Sequence, residues 1–357
     1  MYLQLGWRNI WRNPRRTAVI LSAIVIGVWS MIFLGAMMRG ITDQMVRNGI
    51  ATLTGHIQIH HSGYRQDPVI ENRMAQTGLL ELTIKTYTPP GTLWVKRVRV
   101  NAVASNAHHS GGVTLVGIEP EKEAVVSFIG SAVKRGRTLK PDEAYGIVVG
   151  RAFLEKFETR LGRKLVLTSR DTQGEVVSRA FRIIGVFQAE VAATEKGFVF
   201  VSLRAAQQML KLKEDISEVS ILLSQHTKAK AVSDVLRRRL PPNDYEVHTW
   251  QELLPMVTAM MKLYDGFIFL WFVVVFIAMS FGIVNTTLMA VFERIREFGL
   301  LKALGMRTRR IVREVMTESF LLLIIGMLVG NCLGFLSVVL LADKGIDLSS
   351  MAAGVEF

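Results

Sequence analysis

The sequence predicts a membrane α-helical protein with three visible spans and a large mixed α/β domain between the first and second. Three observations predict it. Three runs carry no charged residue: Thr17–Met38 (22 residues), Gly266–Phe292 (27) and Ser319–Ala342 (24). Each exceeds the roughly 20 apolar residues that cross a hydrocarbon core. Mean hydropathy is +0.31 although 20% of the 357 residues are charged, so the apolar residues must be concentrated. Residues 39–265, between the first two runs, are 227 residues, enough to bury a core of their own. A purely soluble enzyme is excluded.

Residues 1–16 read as a cytoplasmic amphipathic segment. Arg8, Arg12, Arg15 and Arg16 occur there without an acid, and Trp7 and Trp11 share one helical face at i and i+4. Such a segment lies in the headgroup layer, indoles at the interface and guanidinium groups on phosphates; an ordinary helix flank fits equally. Span 1, residues 17–38, is too long for the 7–15-residue apolar core of a cleaved signal peptide, and Met-Met-Arg-Gly offers no small-x-small site, so it reads as an uncleaved anchor.

Within 39–265, alternation and β-branched residues predict strands at 56–60, 93–100, 113–118, 146–149, 164–168, 176–187, 198–201 and 219–223. Helices fit 152–159, 203–212 and 228–240. The last, ended by Pro241-Pro242, leads to a strand at 245–248 and forms a β-α-β unit with 219–223. Pro89-Pro90-Gly91 marks a candidate lobe boundary. Residues 40–53 and 250–261 are expected to extend the spans outward as helices that would transmit movement.

No catalytic constellation stands out. His56, His60, His61, His108 and His109 are five of the seven histidines, and His56 and His60 share a strand face, but surface histidines are the commoner outcome and no metal site is assigned. H-E-x-x-H, G-x-S-x-G and G-x-x-x-x-G-K-[ST] are all absent, so the chain has no P-loop of its own. The only cysteine, Cys332, lies in the third run, and no intramolecular disulfide can form. A net charge of +13 raises nucleic acid as a partner, but the cations divide into membrane flanks and a dispersed remainder without a recognition motif, which excludes it.

Span 2 is residues 266–292 and span 3 residues 319–342; the connector 293–318 carries Arg294, Arg296, Lys302, Arg307, Arg309, Arg310 and Arg313. Short basic loops stay cytoplasmic, which places the 39–265 domain outside. Asn285 and Asn331 are expected to face protein, because an unsatisfied amide in hydrocarbon is costly. Met256, Met260 and Met261, with Asn285, offer an adaptable surface to acyl chains or to a partner chain. In the connector, Ile295, Phe298, Leu301 and Leu304 recur at about one turn among Glu293, Arg294, Arg296, Glu297 and Lys302. Gly305 suits a left-handed terminus, and Thr308 can cap the next helix.

The segment Glu293–Gly305, ERIREFGLLKALG, resembles the signature of the FtsX-type permease domain of MacB and lipoprotein-releasing (Lol) ABC transporters. The opening Leu5–Thr17 is similar to the start of those permeases, and Gly55–His60 and Thr249-Trp250 resemble the Lol branch. The resemblance implies a permease subunit in a bacterial inner membrane, paired with a second permease as homodimer or heterodimer. Its periplasmic domain, residues 39–265, would change shape by mechanotransmission. Glu293, Arg294, Arg296, Glu297, Phe298, Gly299, Leu301, Lys302 and Gly305 would form a coupling helix that engages a separate ABC ATPase. The implied chain holds no cofactor; ATP and Mg belong to the partner ATPase. Lipoprotein release is the leading expectation. The alternatives are MacB-like efflux of peptides, toxins or antibiotics with a periplasmic adaptor, and FtsX-like control of a cell-wall hydrolase. Permeases of this kind carry four spans; residues 343–357 read as the periplasmic loop before a fourth, which is expected beyond Phe357.

Overall fold

The computed structural model describes residues 7–8, 10–75 and 77–342. The expected loop 343–357 and the Arg16 side chain lie outside the described residues. The chain divides into two compact units, Met45–Thr258 and Met1–Gln44 with Ala259–Phe357. The Met45–Thr258 unit lies within the 39–265 read from charge.

The first unit is a mixed α/β domain. Its strands are β1 (Ile57–His60), β2 (Leu93–Ser105), β3 (Ser110–Ile118), β4 (Val133–Gly136), β5 (Gly146–Gly150), β6 (Lys164–Arg170), β7 (Val176–Phe187), β8 (Phe198–Ser202), β9 (Glu218–Leu222) and β10 (Glu246–Thr249). They form a ten-stranded sheet in the order β10-β1-β9-β2-β3-β8-β5-β7-β4, with β6 pairing β2 and β7. Pairings β3–β8 and β5–β7 are parallel; the others are antiparallel.

This topology corrects the sequence reading twice. Strand β1 lies between β9 and β10, antiparallel to both, so it splits the expected β-α-β unit. It also joins residues before Pro89-Pro90-Gly91 to the same sheet as residues after it, so that tripeptide is a turn and no lobe boundary.

The core sits on both faces of the sheet. One side gathers Val98, Val100, Phe153, Phe157, Leu165, Phe181 and Leu210; the other gathers Leu53, Val116, Ile118, Ile129, Phe187 and Phe200. In β2, Val95 and Arg97 face one side while Val98, Val100, Ala102 and Ala104 face the other, all buried. This is the burial of a central strand covered on both faces.

Sequence reading missed several short elements, among them β4, a helix at Thr77–Tyr87 and one at Pro120–Val126. The last carries a legible start signal, Pro120 in its first turn with Glu121 and Glu123. The expected helix 250–261 is broken. A capping box of Thr249 and Glu252 starts a turn at Trp250–Leu253, and Leu254 leaves helical geometry (φ −117°, ψ 63°) ahead of Pro255. Proline disfavours helical backbone in the residue before it, which is the physical reason.

The second unit is built on three long helices, α1 (Pro14–Gly49), α2 (Pro255–Glu293) and α3 (Thr308–Ala342). The two former continue past the unit boundary. Their 36, 39 and 35 residues exceed the hydrocarbon thickness of about 30 Å at about 1.5 Å per residue. All three are long and apolar enough to cross a membrane.

Spans 1 and 3 approach closely along Gly326, Gly330 and Gly334. A Cβ on these would meet Ile24, Val28 and Ile32 at 2.5, 2.8 and 2.9 Å respectively. Small residues at a four-residue spacing let backbones pack where lipid supplies no hydrophobic drive. Trp29 Nε1 donates to Ser337 Oγ at 2.9 Å across the same seam. Neither asparagine is buried. Asn331 Nδ2 turns back to Met327 O at 2.8 Å, satisfying the amide within its own helix, and Asn285 is exposed on α2.

Candidate coupling site

The connector between α2 and α3 folds into a short helix, α4 (Ile295–Ala303). Arg294 breaks the chain from α2 with non-helical backbone (φ −103°, ψ 13°). At the far end Gly305 takes φ +87°, and Met306 N donates to Leu301 O at 3.0 Å. Only glycine enters that left-handed conformation at no steric cost, so the helix stops there. Helix α3 begins at Thr308, with Arg310 N donating to Arg307 O at 2.8 Å, so Arg307 and not Thr308 stands at the cap.

One face of α4 is pinned from within the chain. Arg294 Nε donates to Glu297 at 3.0 Å, and its terminal nitrogens reach Glu314 at 3.4 Å and Glu318 at 3.5 Å. Glu314 and Glu318 are one turn apart on α3, so a single guanidinium ties α4 to that span. The same guanidinium stacks 5.0 Å above the Phe298 ring. From the N-terminal segment, Arg12 closes on Glu297 at 2.5 and 3.3 Å and Asn13 reaches Glu293 at 3.5 Å. Thr17 Oγ1 donates to Ile10 O at 2.6 Å, and Ile10 is buried against Ile20, Ile24 and Leu322. Hydrogen bonds from Arg12 and then Arg294 hold the Glu297 carboxyl at about 2, and the same bond raises Arg12.

These contacts revise the sequence expectations. Phe298 is 8% exposed and Leu301 half-buried, so Phe298 faces inward and Leu301 is only partly open to an outward contact. Ile295, Leu300 and Leu304 are the apolar residues facing out, 58, 65 and 77% exposed. Gly299 lies beside them with nothing within 4 Å of an added Cβ. Arg296, Lys302 and Gly305 are exposed around this face. Glu297, expected to await a basic group of another protein, is already paired. Arg12, expected on lipid phosphate, is its partner. Trp7 and Trp11 stand edge to face at 6.1 Å and are exposed, as are Arg8 and Arg15.

The other candidates are not brought to this helix. Met256 and Met260 are exposed, Met261 is half-buried and Asn285 is exposed. His56 Nδ1 accepts from Leu223 N at 2.9 Å, and His60 stacks on Tyr64 at 5.0 Å with Gln58 Oε1 3.0 Å from its Nε2. Among the described residues no group of three or more His, Cys, Asp or Glu could hold a metal ion.

Residues 17–239 match the MacB-like periplasmic core domain, and residues 267–357 match the FtsX-like permease C-terminal domain. The chain belongs to the FtsX/MacB-type family of ABC-transporter permeases. Within that family it is 22% identical over 328 residues to the lipoprotein-releasing system transmembrane protein LolC of Neisseria meningitidis, covering 90% of this chain and 76% of LolC. It is 25% identical over 352 residues to the macrolide export ATP-binding/permease protein MacB of Nitrobacter winogradskyi, covering 90% of this chain and 50% of that protein. The periplasmic region of MacB from Actinobacillus actinomycetemcomitans is similar with a TM-score of 0.41 at 15% identity, over 59% of this chain and 94% of that structure. The FtsX/MacB-type permease domain thus contains α4, and the MacB-like domain contains most of the ten-stranded sheet.

Proposed function

We propose that this chain is the membrane subunit of an ABC transporter whose α4 docks on a separate ATPase and passes its nucleotide-driven movement to the extramembrane domain. The observation that carries the reading is the two-sided construction of α4. Its inner face is tied by Arg294, Glu297 and Phe298 to α3 and the N-terminal segment. Its outer face presents Ile295, Gly299, Leu300 and Leu304. A helix held on one side and apolar on the other transmits a push on its free face to the spans that hold it. ATP and Mg would bind the ATPase, and a second permease would complete the assembly.

On this reading α4 lies in the cytoplasm and the α/β domain outside, in the periplasm of a bacterial inner membrane, which the cation-rich flanks of the spans support. The likeness to LolC supports lipoprotein release as the work performed. The likeness to the macrolide export protein MacB supports efflux of peptides, toxins or antibiotics as a second reading.

The test is affinity purification of the tagged full-length chain from its native membranes. Capture of a P-loop ATPase, with ATP hydrolysis by the complex and none by the chain alone, is the expected result. Release of a lipoprotein from proteoliposomes on adding ATP separates the first reading from the second. Hydrolysis by the chain alone would overturn both.

A further inference from the structure

Helix α1 ends in a π turn, Ile50–Thr54, that belongs to the extramembrane unit. Within it Leu53 sits at φ 66°, ψ −11°, with its side chain 2% exposed. A branched aliphatic residue rarely enters left-handed space, so its surroundings must hold it there. The Leu53 carbonyl accepts from Arg97 and from Gln58 Nε2, the latter at 3.1 Å.

Arg97 is a residue of the central strand β2 and is 1% exposed. Its Nε and one terminal nitrogen grip both oxygens of Glu123 at 3.0 and 2.7 Å. The nitrogen that reaches Leu53 also donates to Glu218 at 2.7 Å. Glu123 lies on the helix Pro120–Val126 and Glu218 on β9, and both are fully buried. Arg99 stands 3.8 Å from the second Glu218 oxygen. One planar guanidinium therefore joins two strands, a helix and the turn that ends α1.

A buried charged trio is a poor source of net stability, since apolar residues of similar volume often do as well. It supplies direction instead: the fork fixes where the Leu53 carbonyl points. We infer that Arg97 is a positioning residue that locks the turn after α1 to the sheet, so that movement of α1 is delivered to the domain and not absorbed at a hinge. The delivery step rests on the permease reading; the lock itself is local.

The experiment uses full-length chain in nanodiscs, with hydrogen exchange read on peptides covering residues 50–56 and on β5 and β7, which carry none of the trio, as reference. Two variants are compared: Arg97→Lys, and the neutral triple Arg97→Gln, Glu123→Gln, Glu218→Gln, which strands no fully buried charge, Arg99 being 37% exposed. At least about tenfold faster exchange confined to residues 50–56 is expected in both. Unchanged exchange there, or acceleration spread over the whole sheet, overturns the lock. With the captured ATPase, ATP plus vanadate should alter exchange in the wild-type sheet. In the variants that response should disappear while hydrolysis stays within about twofold. A retained response refutes delivery. If the wild-type complex itself neither hydrolyses ATP nor responds, the permease reading fails, and the 50–56 result still decides the lock.

Discussion

Glu297 is held ionised well below the ordinary carboxylate range. Its carboxyl is held at about 2 by Arg12 and Arg294, below the ordinary value of 4.5. A depressed folded value means its contribution is complete above about 4.5 and is lost as pH falls toward 2. The difference in melting temperature between wild type and Glu297→Gln should therefore be constant from pH 8 to about 5 and shrink below about 4.5. A difference that grew on acidification would contradict the pairing. Phe298 and Leu300 provide a paired comparison. Truncating buried Phe298 to Ala should cost about 3 kcal/mol, whereas Leu300→Ala, on the open face, should stay within about 0.5 kcal/mol. Equal losses in detergent melts would mean that the inner and outer faces are misassigned. Spacing alone showed that Phe298, Leu301 and Leu304 share a stripe. It could not show which part of the stripe is covered, because the covering groups, Arg12, Glu314 and Glu318, come from distant positions.

Helices in this chain are set by glycines used in two different ways. Gly330 is a point of close approach, and a Cβ there would lie 2.8 Å from Val28. Gly299 faces open space. Gly330→Leu should separate spans 1 and 3, lowering the melting temperature and membrane level of the protein. Gly299→Leu should leave the membrane level unchanged and the melting temperature equal or slightly higher, since a side chain there meets open space and leucine is the better helix former. The spans themselves were legible because a charge-free apolar run of that length matches the thickness of a bilayer and exceeds what a soluble core helix needs. Their seam was not, although Gly326-x-x-x-Gly330-x-x-x-Gly334 stood in the sequence, because glycine spacing does not name the partner helix. Local chemistry misled where topology decides: Pro89-Pro90-Gly91 looked like a boundary, yet strand pairing runs straight past it. The Pro255 break, in contrast, follows a rule the sequence already carried.

At the scale of the molecule, the charge asymmetry that predicts topology can be checked directly. On a background with Cys332→Ala, cysteine at exposed Ser178 should react with an impermeant maleimide in intact spheroplasts, and cysteine at Thr308 should not. The opposite labelling would place α4 on the wrong side of the membrane for any cytoplasmic ATPase. The mixed α/β character of the domain was legible from alternation, whereas the position of β1 between β9 and β10 was not, because non-local pairing leaves no local signal. The Arg97–Glu123–Glu218 trio escaped notice for the same reason: charges that are 26 and 121 residues apart in sequence meet only in the fold.

The central claim is that the outer face of α4 couples this permease to an ATPase. It is tested most directly by purifying tagged wild type, Gly299→Leu and Leu300→Arg from matched membranes and measuring captured ATPase and its hydrolysis. Both variants should insert at levels within about twofold of wild type and lose at least about tenfold in captured ATPase, as a bulky or charged group at an apolar contact demands. Capture and hydrolysis equal to wild type in both variants would show that α4 is a connector, and the coupling account would be wrong.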